Sequence, residues 1–124
     1  MKKQAKSDPK KRKGLIIVNT GDGKGKSTAS FGLALRAAGN KMNVFIMQFM
    51  KGPWKAGERK ALKELSEYVE YEAMGDGFTW DTKNPEQDKK TARNAFDIAK
   101  EKLMSGKYQM IVLDEINYVL TPYL

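Results

Sequence analysis

The chain has 124 residues, no cysteine and no histidine, and a formal charge of +8 from 23 Lys and Arg against 15 Asp and Glu. The length suits a single domain, and the missing residue types exclude thiolate nucleophiles, disulfides, histidine bases and Cys/His zinc centres. The charge is concentrated at one end: residues 1–13 hold seven basic groups and one acid, Asp8, and the rest of the chain is close to balanced.

Residues 1–13 therefore read as a flexible basic tail ahead of one domain over residues 14–124. A solvated tail accounts for the charge without nucleic acid. No apolar run approaches the ~20 residues that span a bilayer, and no signal-peptide pattern follows the first lysines, so a cytoplasmic chain is expected. Leu15, Ile16, Ile17 and Val18 predict a buried strand over residues 15–19. Gly21, Gly23 and Gly25 follow, with Lys24 and Lys26, and then Ser27 and Thr28 open a helix over residues 27–38. Phe31, Ala34, Leu35 and Ala38 recur at helical spacing, and Gly39-Asn40 supplies a stop.

Strand, glycine-rich loop, lysine, hydroxyl and helix form the layout of a phosphate-binding loop. Glycines let backbone N–H groups curl around phosphate oxygens, the helix N-terminus adds partial positive charge, and a serine hydroxyl can ligate Mg2+. The candidate phosphate-binding residues are Asn19, Thr20, Gly21, Asp22, Gly23, Lys24, Gly25, Lys26, Ser27 and Thr28. The pattern departs from G-x-x-x-x-G-K-[ST] at its first glycine, where Thr20 stands, and a plain glycine turn is the alternative.

Residues 44–49, VFIMQF, predict a strand covered on both faces. A loop over 50–57 follows, with Trp54 as a packing residue, then a short helix over 58–65 and a half-exposed strand over 69–73. Residues 74–80 form a glycine-rich loop carrying Phe78 and Trp80. Asn84 as N-cap and Pro85 at the first helical position start a helix that runs to about residue 105, with Ala92, Ala95, Phe96, Ala99 and Leu103 on one face and Gly106 at its end. Residues 110–113 form a further strand, followed at once by Asp114 and Glu115, where a phosphate-loop protein places a carboxylate toward Mg2+. A last helix begins at Ile116. Alternating strands and helices predict an α/β domain with a parallel sheet.

Taken together, residues 20–27 (TGDGKGKS), 48–52 (QFMKG), Gly57-Glu58, residues 77–80 (GFTW) and 112–115 (VLDE) closely resemble the P-loop-type corrinoid adenosyltransferases, which act on cob(I)alamin or cob(I)yrinic acid a,c-diamide. The resemblance implies a RecA-like, three-layer α/β/α P-loop fold with a mainly parallel sheet. Because relatives continue past the Asp-Glu motif, it also implies that the sheet and domain are incomplete here. It implies transfer of the 5′-deoxyadenosyl group of ATP to Co(I) of a reduced corrinoid, with release of triphosphate. Co(I) is itself a strong nucleophile, so no protein base is required. The catalytic work falls to Lys24 and Lys26, with Arg36 nearby, on the leaving triphosphate, and to Phe78 and Trp80 at the lower face of the corrin, with Met74 adding an apolar contact. Ser27 with Asp114 or Glu115 would hold Mg2+. A homodimer and an electron-donor protein are implied partners; a membrane and nucleic acid are not. The competing readings are a P-loop kinase or ATPase using Asp76 or Asp81, and a non-enzymatic nucleotide-binding fragment whose tail contacts nucleic acid.

Overall fold

Val44, Phe45, Ile46 and Met47 are apolar on both sides of the pleat, and they form the centre of the sheet. The computed structural model describes residues 14–49, 57–64, 67–74 and 85–123. Its elements are α1 (Lys26–Gly39), β1 (Val44–Gln48), α2 (Gly57–Glu64), β2 (Val69–Ala73), α3 (Pro85–Met104), β3 (Met110–Asp114) and α4 (Asn117–Tyr123). The three strands are parallel in the order β2-β1-β3. Val44 lies opposite Val69 and Met110, and Gln48 opposite Ala73 and Asp114, so all three strands end at one level.

Alternation along the strands divides the core into two layers. Val44, Ile46, Val69 and Val112 meet Phe31, Ala34 and Ala38 of α1 and Leu62 of α2 on one face. Phe45, Met47 and Phe49 meet Ala92, Ala95 and Ala99 of α3 and Val119 of α4 on the other. The small side chains that α3 presents leave room for the bulky Phe45, Met47 and Phe49 in this layer. The crossover from β1 to β2 steps one way across the sheet, and the crossover from β2 to β3 steps back past β1. Parallel crossovers of one hand that reverse direction must place their helices on opposite faces, as α2 and α3 are placed.

These elements match the predicted ones to within a residue or two, with one exception. Residues 14–20 contain no strand, and Leu15 to Val18 are 59–90% exposed. Apolar, β-branched residues favour an extended backbone, but a parallel strand exists only through its ladder partners, and this segment has none in the described sheet. The helix faces predicted for α1 and α3 also need a correction, because Leu35 is 54% exposed in α1 and Leu103 is 58% exposed in the last turn of α3. Lys102 takes the inward position in that last turn: its amine lies 5.7 Å from the Phe45 ring centroid and 3.0 Å from Glu70 Oε1.

Glu70, Lys102 and Tyr108 form a polar cluster on the α3 face, toward the starts of the strands. The Tyr108 hydroxyl and then the Lys102 amine, both donating to Glu70, hold its carboxyl below the usual 4.5. The same contact with Glu70 raises Lys102 above its usual 10.5. Glu70 thus adds stability that is present above pH 4.5 and lost as the pH falls through its lowered native value; the Lys102 contribution is present below 10.5 and lost above it. The cluster is partly solvated, so Glu70→Gln is expected to cost about 0.5–1 kcal/mol near neutral pH. That deficit should shrink in acid, as read by urea unfolding across pH; a deficit independent of pH would show that the charge of Glu70 contributes nothing.

Candidate functional site

Gly21, Gly23 and Gly25 have φ of 117°, 100° and 110°. These angles are open to glycine and strained for side-chain-bearing residues, which explains three glycines at alternate positions. The loop they form leads directly into α1. Gly25 is the N-cap residue, no side chain caps the helix and no acid stands in its first turn, so the first N–H groups of α1 remain available to an anion. Lys26 folds back over the loop, its Nζ donating to the carbonyls of Gly21 and Gly23 at 2.7 Å each. Asn19 Nδ2 donates to Ser30 Oγ at 3.0 Å and ties the start of the loop to α1. Thr20, Asp22, Lys24 and Thr28 are exposed on the same segment.

The decisive contact runs between the loop and the sheet. Ser27 Oγ donates to Asp114 Oδ1 at 2.8 Å, uniting the first turn of α1 with the end of β3. Asp114 is 7% exposed, and its other oxygen accepts from Gln48 Nε2 at 3.2 Å. Gln48 Oε1 in turn accepts from the Tyr71 hydroxyl. Glu115 follows at φ 58°, half-buried, with its carbonyl accepting from Tyr118 N at the entry to α4. A hydroxyl and a carboxylate side by side are hard oxygen donors of the kind Mg2+ takes. Among the described residues no three His, Cys, Asp or Glu side chains converge.

The structure therefore brings together Lys26, Ser27, Asp114 and the loop glycines. It does not bring Arg36 to them: Arg36 lies in the last turn of α1, about 15 Å along the helix axis from Lys26. Met74 is 4% exposed and packed in the core with Phe45, Met47 and Phe49, so its apolar surface is spent on folding. It also borders a cavity of about 430 Å3 between β2 and α3, shared with Glu72, Lys90 and Asn94. Phe78, Trp80, Asp76 and Asp81, with Trp54, Asn84 and the basic tail, lie outside the described residues. Gln48 opens one of the segments that carry the family resemblance but has no role assigned there, and Tyr71 is not singled out by the sequence reading; hydrogen bonds join both to Asp114, Tyr71 through Gln48. The available signal was a lone amide in the apolar run VFIMQF, since a buried amide requires partners. No helix among the described residues is long and apolar enough to cross a membrane.

Comparison with known proteins points the same way. Residues 12–124 match a family model described as ATP:corrinoid adenosyltransferase BtuR/CobO/CobP. Proteins named corrinoid adenosyltransferase from Escherichia coli and Pseudomonas aeruginosa are 45% and 39% identical over 108 residues, which is 87% of this chain and 54% and 53% of theirs. Corrinoid adenosyltransferase CobA of Salmonella typhimurium is 44% identical over 108 residues, 87% of this chain and 54% of its own. The chain thus spans about half the length of the curated relatives it matches. A loop of glycines and lysine joined to an acidic strand end 87 residues away is a fold-level arrangement shared by many phosphate-binding proteins; it is the match over residues 12–124 that is selective, and by it the chain belongs to the ATP:corrinoid adenosyltransferase BtuR/CobO/CobP family.

Proposed function

We propose that residues 14–124 form the nucleotide-binding domain, of RecA-like P-loop type, of a cytoplasmic enzyme that transfers the 5′-deoxyadenosyl group of ATP to Co(I) of a reduced corrinoid. The observation that carries the corrinoid reading is the family match over residues 12–124; the Ser27–Asp114 hydrogen bond supports its nucleotide part, setting a loop suited to phosphate against a carboxylate suited to Mg2+. In the transfer, the electron pair on Co(I) forms the bond to C5′. The C5′–O bond breaks, and its electrons leave on the triphosphate. The protein's part is to hold C5′ in line and to stabilise the charge that collects on the leaving group. Lys26 and the N–H groups of the loop and α1 do this directly, with Lys24 exposed beside them. Ser27 with Asp114, or with Glu115, holds Mg2+, which neutralises part of the phosphate charge when bound. Phe78 and Trp80 close the lower face of the corrin and exclude an axial ligand. A homodimer and an electron-donor protein complete the proposed assembly.

The test is product analysis with ATP, Mg2+ and chemically reduced cobalamin under anaerobic conditions. Triphosphate together with a light-sensitive adenosylcorrinoid is the expected result. ADP and phosphate would overturn it in favour of a kinase or ATPase. ATP bound without any turnover would reduce the reading for this chain to nucleotide binding alone.

A further inference from the structure

The carboxylate of Asp114 sits in a relay that extends beyond the residues a phosphate-loop motif contains. Gln48 and Asp114 are direct cross-strand partners, and Tyr71 lies diagonally across β2, opposite Ile46. All three side chains lie on the face covered by α1, with Gln48 and Asp114 the last residues of their strands and Tyr71 in the middle of β2. Gln48 is 1% exposed, so its amide depends on these two neighbours.

We infer that Gln48 and Tyr71 are positioning residues for Asp114 and, through it, for the cation-binding oxygen of Ser27; the inference rests on the Mg2+–nucleotide reading given above. The final torsions of Asp and Gln side chains are broad, so rotamer preference alone fixes neither the carboxylate plane nor the amide plane. Hydrogen bonds must do it. Tyr71 donates to Gln48 Oε1, which turns Nε2 toward Asp114. Nε2 then anchors Oδ2, leaving Oδ1 aimed at Ser27. With its proton given to Oδ1, the Ser27 oxygen presents its lone pairs away from the carboxylate, as a cation ligand needs. The donors run in one direction from Tyr71 to Asp114, so each bond polarises the next.

The test is ATP binding by calorimetry to the full chain, first in EDTA and then over a Mg2+ titration. Tyr71→Phe keeps the ring and removes one oxygen; Gln48→Met keeps the length and removes the amide. Partners that orient a metal's ligands typically matter ten- to a hundredfold in metal affinity. The half-saturating Mg2+ concentration is therefore expected to rise about tenfold or more in Gln48→Met, and about three- to tenfold in Tyr71→Phe, one bond further out. ATP affinity in EDTA should stay within twofold in both. Unchanged Mg2+ dependence in Tyr71→Phe would overturn the relay, as would equal weakening of ATP binding with and without Mg2+, which is the mark of mere misfolding. If the unsubstituted chain binds ATP without regard to Mg2+, the cation site itself is wrong and the relay falls with it; loss confined to the two variants separates the cases.

Discussion

Lys26→Ala is expected to weaken ATP binding by at least thirtyfold while leaving the free protein almost as stable as before. In the unliganded loop the ammonium is bonded to two neutral carbonyls, those of Gly21 and Gly23, at an exposed position. Neutral hydrogen bonds in contact with water contribute about 1 kcal/mol or less each. A phosphate oxygen is a stronger acceptor for the same group, because the bond is charge-assisted and roughly twice as strong. Exchange of carbonyl for phosphate is thus downhill, and the lysine is held ready in the loop. Removing it takes away about 2–4 kcal/mol of interaction with the triphosphate, and every 1.4 kcal/mol is a factor of ten in affinity. Lys24→Ala, on the same loop but with no contact to its carbonyls among the described residues, should lose less. Calorimetric titration of both variants with ATP and Mg2+ checks the order. Equal losses would mean that the loop acts as a diffuse positive patch, and an unchanged Lys26→Ala would remove the phosphate-loop reading.

What the sequence encodes locally was readable, and what depends on distant partners was not. The helical spacing of Phe31, Ala34 and Ala38, the apolar run at β1 and the glycine at 106 place α1, β1 and the end of α3 without reference to anything else in the chain. The pairing of Ser27 with Asp114 was accessible for a different reason: a phosphate loop and an acidic strand end imply each other, since both serve one cation. Gln48 and Tyr71 are joined to Asp114 through sheet register, and register between parallel strands is set by crossovers that leave no short-range pattern. The same dependence on partners explains residues 15–19, whose composition favours a strand that no neighbour among the described residues completes. Arg36 shows the opposite error. Ten residues from Lys26 is close along the chain, yet on a helix it is three turns away. In the last turn of α3, Lys102 occupies the inward place predicted for Leu103 because a long aliphatic stem can lie along the core and still deliver its amine to Glu70.

Phe45→Ala should be the most damaging single change to the fold, and it separates folding from binding. Phe45 is fully buried at the centre of β1; its ring lies 5.5 Å from that of Tyr108 and beneath the Lys102 amine. Truncating a buried phenylalanine costs about 3–5 kcal/mol through lost burial and the cavity left behind. Domains of this size have roughly 5–15 kcal/mol in hand, so the variant should unfold at clearly lower urea and melt about ten degrees or more below the parent. Phe45 nonetheless points toward α3, whereas Gln48, three residues on, points toward α1 and the loop. The phosphate site should therefore keep its geometry in whatever fraction is folded. A ligand at a hundred times its dissociation constant stabilises the native state by about 2.7 kcal/mol regardless of where the starting stability lies. ATP with Mg2+ is thus expected to add the same free energy, read by urea unfolding, to Phe45→Ala as to the parent, and to add little to Lys26→Ala. If ATP fails to stabilise Phe45→Ala, the two faces of the sheet are not independent, and the core behind β1 is itself part of what shapes the nucleotide site.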